Sequence, residues 1–400
     1  MSIIIGIIIG LLILTLLVVI HEYGHYIAAK KSGVHVEEFA IGFPPSALKW
    51  QRKGKKWVKI PRKDWKNLDR EKTIFSLNWI PVGGFCRMKG ESDDDKRPNS
   101  FGKSSLWSKT KILFGGILLN FAFAALIFTV LAWTGMPMFL ENQFQIESDS
   151  RTASVGNVFI TRIEEGSPAA TAGLQPGDEI LSINGLDILD TYQITSITRA
   201  MPGETIHVVY QRDKQQSEVD VKLLIPNEER SWVFGVSSNQ AERYYNTWSA
   251  PVVGVVTTVQ LTGETFRGVG TMLWNFVSGV FRQVSFDQSV REDGREAIGA
   301  AGDGLSGPVG IVGMIFPAFV ESGPTNLFFL SAVISISLAC MNALPIPALD
   351  GGRWFLIVLF RIRKKTLSKE IEERIVSRAF IVLIGLIVLI TILDITRFFR

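Results

Sequence analysis

Residues 3–20, IIIGIIIGLLILTLLVVI, contain no charged side chain and a single hydroxyl. At about 1.5 Å of rise per residue, such a run is as long as a bilayer's hydrocarbon core is thick. It predicts a membrane-spanning helix, and its direct passage into HEYGHYIAAKK, without a small-residue cleavage site, predicts a retained one. Uncharged runs at Ile112–Trp133, Leu327–Leu344 and Phe380–Leu393 predict three more spans, the third broken near its end by prolines. Trp248–Phe281 carries only Glu264 and Arg267 as charges. A single crossing there would invert every later segment, so it is read as helix lying against the membrane or the other spans.

Between the spans the hydrophobic period shortens. Residues 47–60 read as two strands about a Lys53-Gly54 turn, and Thr73–Met88 supplies further strand. In residues 155–225, Ser167-Pro168 starts a short helix and Gly173 ends it. Pro176-Gly177-Asp178 turns into a strand at Glu179–Ile183, and Asn184-Gly185 signals a tight hairpin. Ile206–Tyr210 and Glu218–Leu224 alternate like further strands. The predicted fold class is a membrane α-helical protein of about four transmembrane helices, with a cytoplasmic-side β-rich, membrane-associated loop and an extracytoplasmic α/β domain. Along the chain this gives a first span (1–30), a β-hairpin or re-entrant region (31–110), a second span (111–140) and the α/β domain (150–230). A membrane-apposed helical linker (245–305), a third span region (306–352), a cytoplasmic loop (353–378) and a fourth span (379–400) follow.

Composition agrees: 47% of the 400 residues are hydrophobic and 20% charged, with a mean hydropathy of +0.24. That excludes an ordinary soluble chain and a disordered one. Two cysteines, Cys86 and Cys340, build no disulfide framework. The net charge of +4 gives no reason to expect nucleic acid, but its distribution orients the chain. Lys30, Lys31, Lys49, Arg52, Lys53, Lys55, Lys56, Lys59, Arg62, Lys63, Lys66 and Arg70 follow the first span, and Arg361, Arg363, Lys364 and Lys365 follow the third. Residues 141–303 are acidic on balance. Residues 30–110 and 353–378 are therefore expected in the cytoplasm and 141–303 outside. The cysteine-free outer segment suits an oxidising compartment.

His21-Glu22-Tyr23-Gly24-His25 places two histidines four residues apart, on one helix face. That spacing lets both imidazoles hold one tetrahedral Zn²⁺, with Glu22 as general base. Ionisable groups at the end of a span are costly unless they face a protein interior and perform a function. A catalytic zinc takes three protein ligands. His35, just past the helix, and His207, in the outer segment, read as structural. Asp350 is the better third ligand, in Asn342-Ala-Leu-Pro-Ile-Pro-Ala-Leu-Asp-Gly-Gly352. Pro345 and Pro347 break the span, and Gly351 and Gly352 permit close backbone approach. Non-helical backbone at membrane depth belongs where it lines a cavity.

HEYGH together with NALPIPALDGG resembles the site-2 protease family of intramembrane zinc metalloproteases (peptidase family M50 type), in its bacterial branch. Residues 80–85 (IPVGGF), 88–91 (MKGE), Asn120 and 306–310 (SGPVG) agree with it, so the resemblance covers nearly the whole chain. Gly42-Phe43-Pro44-Pro45 departs from the family's usual Gly-Phe-Gly-Pro loop. The resemblance implies a loop dipping into the membrane beside the metal, and a substrate-backbone contact at Asn342 with Pro345 and Pro347 beside it. It also implies a bacterial plasma (inner) membrane and single-span substrates already trimmed on the outer side, such as anti-σ factors or remnant signal peptides. An exposed strand edge in residues 31–110 would add an unwound substrate as a strand; the alternative is a basic hairpin held by anionic lipid headgroups. Residues 165–185 resemble a PDZ domain, which binds chain termini or extended segments by strand addition, with a groove expected near Val158, Phe159 and Ile160. Two rival readings are a catalytically idle PDZ-bearing membrane scaffold and a metal transporter, for which four histidines are few. Gly323-Pro324 and Gly302–Gly307 read equally as hinges or as plain loops.

Overall fold

The computed structural model describes residues 2–68, 71–226, 232–283, 287–303 and 307–398. The chain divides into two compact units, Met1–Leu131 with Pro251–Arg400, and Ala132–Ala250.

The first unit opens with α1 (Ser2–Lys31), which runs well past the uncharged stretch and carries HEYGH in its last turns. Lys30 and Lys31 complement the dipole at its end, and Gly33 takes a positive φ of 74° to turn the chain away. Three strands follow: β1 (Val36–Lys53), β2 (Lys56–Lys59) and β3 (Ile74–Met88). β1 and β3 are long and fold back on themselves. Residues Glu38–Ile41 of β1 pair with Gly84–Arg87 of β3 on one side and with Ile74–Leu77 on the other. Ile74–Leu77 also pairs with Leu48–Gln51, which in turn precedes the β1–β2 pairing. The result is a sheet of five rows whose outer rows are β2 and Gly84–Met88. Glu38 ties these rows together: its carboxylate accepts from Ser76 and from Lys49 Nζ (2.9 Å) and lies 3.6 Å from Arg87. At the turning end, Phe43, Trp79, Ile80 and Val82 are exposed. Thr15 Oγ1, in the middle of the apolar run of α1, donates to Pro81 O at 2.8 Å. The apolar sheet tip therefore lies alongside the middle of a helix built for lipid.

α2 (Leu106–Thr134) crosses α1 on glycines. A Cβ on Gly24 would sit 2.2 Å from Gly115 O, and one on Gly116 would sit 2.8 Å from His21 Nε2. Small residues at such a crossing let two backbones approach closely in a medium that supplies no hydrophobic drive.

The second unit is a sheet with two short helices. Its elements are β4 (Met136–Pro137), β5 (Arg151–Ile163), α3 (Pro168–Thr171), β6 (Glu179–Ile183), β7 (Leu186–Asp187), α4 (Thr191–Ala200), β8 (Thr205–Arg212), β9 (Gln215–Lys222) and β10 (Val236–Tyr245). The strand order is β4-β10-β5-β6-β8-β9, with β7 paired to β6. Val158, Ile160, Leu174, Ile180, Ile206, Val208 and Phe234 fill the core. Ser167 Oγ caps α3 by accepting from Ala170 N, and Asn184 and Gly185 take the positive φ values (51° and 77°) of a two-residue hairpin. Buried Asp178 accepts from Arg212 Nε (2.6 Å) and Nη2 (2.7 Å), which locks the turn before β6. The unit is wider than the expected 150–230, because the polar segment Val236–Tyr245 returns to pair with β5.

The first unit then resumes. α5 (Ala250–Gln283) and α6 (Gln288–Asp303) are followed by α7 (Pro308–Gly310), a π turn at Ile311–Ile315 and α8 (Phe316–Glu321). α9 (Pro324–Ala343), α10 (Asp350–Ile362) and α11 (Lys369–Phe398) complete it. Gly6 and Gly10 of α1 seat Pro317 and Phe316 of α8, where any Cβ would meet them within 2.5 and 2.7 Å. Gly323, at a φ of 101°, and Pro324 make the turn into α9. The Gly302–Gly307 alternative falls on residues 304–306, outside the described residues. Among the described residues, Ile3–Lys31, Leu106–Thr134 and Pro324–Ala343 are long and apolar enough to cross a membrane, and α5 is not among them. The expected fourth span, Phe380–Leu393, lies within α11, whose side chains from residue 392 onward are outside the described residues.

Near the start of α2, fully buried Lys109 donates to Asp93 and to Gly102 O (2.7 Å), while Asp93 also accepts from Leu367 N (3.3 Å). The pair fastens the loop before α2 to the connection between α10 and α11. Lys109→Met strands a buried carboxylate and is expected to remove about 3–5 kcal/mol, read as a lower thermal midpoint in detergent. An unchanged midpoint would show the pair to be dispensable. Glu38 supplies a pH test. Burial raises its pKa, but the hydrogen bonds from Ser76 and Lys49 outweigh it and hold the carboxyl below the usual range. Its contribution is complete above the unfolded value of about 4.3 and is lost as pH falls through the lower native value. Glu38→Gln is expected to flatten the acid limb of stability followed by tryptophan fluorescence; an equally steep limb in the variant would assign that limb to other groups.

Candidate metal centre

The last turns of α1 present His21, Glu22 and His25, and the first residue of α10 presents Asp350. The structure brings three of these together. His21 Nε2 lies 3.0 Å from Asp350 Oδ2, His25 Nε2 lies 3.2 Å from the same oxygen, and the two imidazole nitrogens are 3.2 Å apart. Among the described residues this is the one set of three side chains whose donor atoms could share an ion. A tetrahedral ion with bonds of about 2.0–2.1 Å has donor–donor edges of about 3.3 Å, so the triangle matches one face of such a site. His25 Nδ1–H donates to Ile112 O at 2.8 Å, which leaves its Nε2 lone pair directed at the triangle. Two imidazoles and a carboxylate form the donor set of a catalytic zinc, with a fourth position open. The residues fit the ion.

A local break in the helices brings Asp350 here. α9 stops at Ala343 because Leu344 adopts extended backbone (φ −66°, ψ 149°), the conformation favoured before proline. Pro345 and Pro347 keep the segment non-helical, with turn bonds from Ile346 N to Leu344 O and from Leu349 N to Ile346 O, both 2.8 Å. The first turn of α10 then presses onto that segment. A Cβ at Gly351 would sit 2.3 Å from Ala343 O, and one at Gly352 1.9 Å from Ile346 O. Only glycine allows this approach.

His21, Glu22, His25, Asn342 and Asp350 line one cavity of about 400 Å³, together with Phe43, Gly84, Cys86 and Arg353. Asn342 Nδ2 donates to Leu338 O one turn back. Pro347 lines a wider polar cavity of about 770 Å³, which shares Glu91, Asp350 and Arg353 with the first. Pro345 shapes backbone. The outer sheet row Gly84–Met88 borders the site: Gly84, Cys86 and Met88 line the same cavity as Glu22, and Met88 N donates to Glu91 Oε1 (2.8 Å). Sequence reasoning missed Arg353, although it stands one turn from Asp350 on the same helix. Its guanidinium donates to Glu372 Oε1 (2.7 Å) and to Glu91 O, and lies over the Phe101 ring.

The other histidines are elsewhere. The backbone of His35 bonds to Asn99 O and accepts from Lys89 N. His207 lies on β8 beside Asp220 (2.8 Å) and Glu218 (3.5 Å) of β9, carboxylates that raise its pKa.

The groove expected at Val158, Phe159 and Ile160 is not there. β5 is an inner strand: Phe159 pairs with Asn239 of β10 and with Glu179 of β6, and Ile160 N donates to Asp178 O. Its backbone is already used on both sides, so it has no edge to offer. The edge passes to β10, where only Arg243 and Tyr244 meet β4 and the stretch Val236–Gln240 has no second partner strand among the described residues.

The chain matches peptidase family M50 over residues 9–60 and 58–386. A Helicobacter pylori relative carrying a zinc-metalloprotease name is 30% identical over 406 residues, which cover 98% of this chain and 99% of the relative. The regulator of sigma-W protease RasP of Bacillus subtilis is 25% identical over 465 residues, 96% of each chain. A solved PDZ domain of an SdrC-like protein from Listeria monocytogenes is 20% identical, covering 22% of this chain and 90% of that one at a TM-score of 0.20.

Proposed function

The chain belongs to peptidase family M50 and is a membrane zinc metalloprotease, and we propose that it hydrolyses peptide bonds within or beside the transmembrane helix of single-span membrane proteins. The observation that carries this reading is the meeting of His21, His25 and Asp350 at the end of a helix apolar enough to span a bilayer. These three would hold Zn²⁺, which supplies Lewis-acid polarisation of the scissile carbonyl and acidifies the attacking water. Glu22 takes the proton of that water and returns it to the leaving amide nitrogen. Asn342, on the same cavity, holds the substrate backbone.

A peptide bond inside a helix is shielded, so the substrate must be unwound. The row Gly84–Met88 offers a receiving edge, since β1 occupies its other side. Backbone groups alternate in direction along a strand, so the groups of this row that point away from β1 are the ones left for a substrate strand. The substrate would lie extended between this row and the metal, and Phe43 would pack against its side chains. The Lys/Arg bias of residues 30–110 and 353–378 supports a cytoplasmic position for them at a bacterial inner membrane, where the exposed lysines of the β1–β2 hairpin would rest on anionic headgroups. α11 supplies a fourth span. The second unit, on the outer side, takes a chain terminus or extended segment along Val236–Gln240. Substrates of this chemistry are single-span proteins whose outer domain has already been removed, such as trimmed anti-σ factors or remnant signal peptides.

Glu22→Gln is expected to retain zinc in the purified protein while cleavage of a single-span substrate falls by about 10²–10⁴-fold. His21→Ala and Asp350→Ala are expected to lose both. Undiminished cleavage by the Glu22 variant would overturn the mechanism, and zinc uptake into sealed vesicles would favour a transporter. Strand addition has its own test, with extended peptides carrying a terminal hydroxamate as inhibitors. N-methylating alternate amides on the pairing side is expected to weaken inhibition about tenfold, and methylating the others to have little effect. Equal effects at both sets would rule out pairing with the sheet.

A further inference from the structure

We propose that Asn120 of α2 is a positioning residue for His21. Its side-chain carbonyl accepts a hydrogen bond from His21 Nδ1–H and so keeps the Nε2 lone pair turned toward the ion. The proposal rests on the metal reading of the same site and adds a residue to it.

Asn120 is fully buried at the middle of a membrane-spanning helix. It lies four residues beyond Gly116, on the face of α2 that touches His21, and its own backbone carbonyl accepts from Ser335 Oγ of α9 at 3.0 Å. Its side-chain amide reaches His21 Nδ1 at 3.4 Å, and the other end of that amide, Oδ1, has no hydrogen-bond partner among the described residues. The two ends of an amide are nearly equal in size, so a half-turn of the last torsion exchanges donor for acceptor without moving anything else. Chemistry decides between them. If the NH₂ end donated to Nδ1, that nitrogen would carry the lone pair and Nε2 would carry the proton, which disqualifies it as a ligand. If the carbonyl accepts from Nδ1–H, Nε2 is free.

His25 is already in that second state, because Ile112 O accepts from its Nδ1–H. The two histidines then carry matching outer partners, a backbone carbonyl for one and an amide carbonyl for the other, and both Nε2 lone pairs face the point that Asp350 Oδ2 also faces. Outer partners of this kind set the tautomer and orientation of a metal-bound imidazole.

The test measures zinc affinity of the full chain purified in detergent, by competition with a chelator of known strength. Asn120→Leu keeps the shape and removes the acceptor; Asn120→Asp keeps the shape and offers only an acceptor when ionised. The Leu variant is expected to bind zinc about 10–100-fold more weakly, and the Asp variant to stay within a few fold of wild type. Wild-type affinity in the Leu variant, or equal loss in both, would overturn the proposal. A wild-type chain that holds no zinc would instead overturn the metal reading. Should the Leu variant fail to fold, nitrogen chemical shifts of ¹⁵N-histidine-labelled, zinc-loaded wild type decide. They are expected to show His21 protonated at Nδ1 and metal-bound through Nε2, and a ring whose Nδ1 carries no proton would overturn the assignment.

Discussion

Three lone-pair donors must meet at one point at the end of a hydrophobic helix, and the first unit is arranged around that demand. Two come from adjacent turns of α1 and need nothing but helical spacing. The third comes from a residue 329 positions away. Polar groups at this depth have little water to fall back on, so each has to be satisfied by protein or by an ion. The convergence of His21, His25 and Asp350, with Ile112 O behind His25, meets that requirement only as a set. Remove one donor and the others face an uncompensated neighbour.

Glycine is what makes the meeting geometrically possible. Gly24, Gly115 and Gly116 let α2 lie against the turns of α1 that carry His21 and His25, and Gly351 and Gly352 let α10 fold onto the broken end of α9. Every one of these positions would place a Cβ inside a backbone or ligand atom. The two prolines act differently: they stop α9 and leave a non-helical segment on which α10 can start.

The folded-back sheet solves a separate problem. Its apolar tip runs beside the lipid-type portion of α1, while Glu38 and its partners hold the rows in register. Its outer row ends beside Glu22, and Gly84, Cys86 and Met88 share the cavity that Glu22 lines.

Much of this was legible in the chain. Uncharged runs marked α1, α2 and α9, His-Glu-x-x-His and the Asp350 motif marked the site, and Ser167-Pro168, Gly173 and Asn184-Gly185 marked local turns of the second unit. These are signals written in consecutive residues, where helical period, caps and turn chemistry act over one or two turns. What lay beyond reach was every feature that depends on which strands and helices become neighbours. Phe159 looks like an edge residue until β10, a polar segment with little alternation, pairs with it from about eighty positions later. Arg353 reads as an ordinary cation, and Asn120 as a match to the family without a role, until packing sets them beside Glu372 and His21. Local sequence determines which elements form and which donor groups exist. Tertiary packing decides which backbone edges stay open and which side chains share a point, because both depend on distances between residues far apart in the chain.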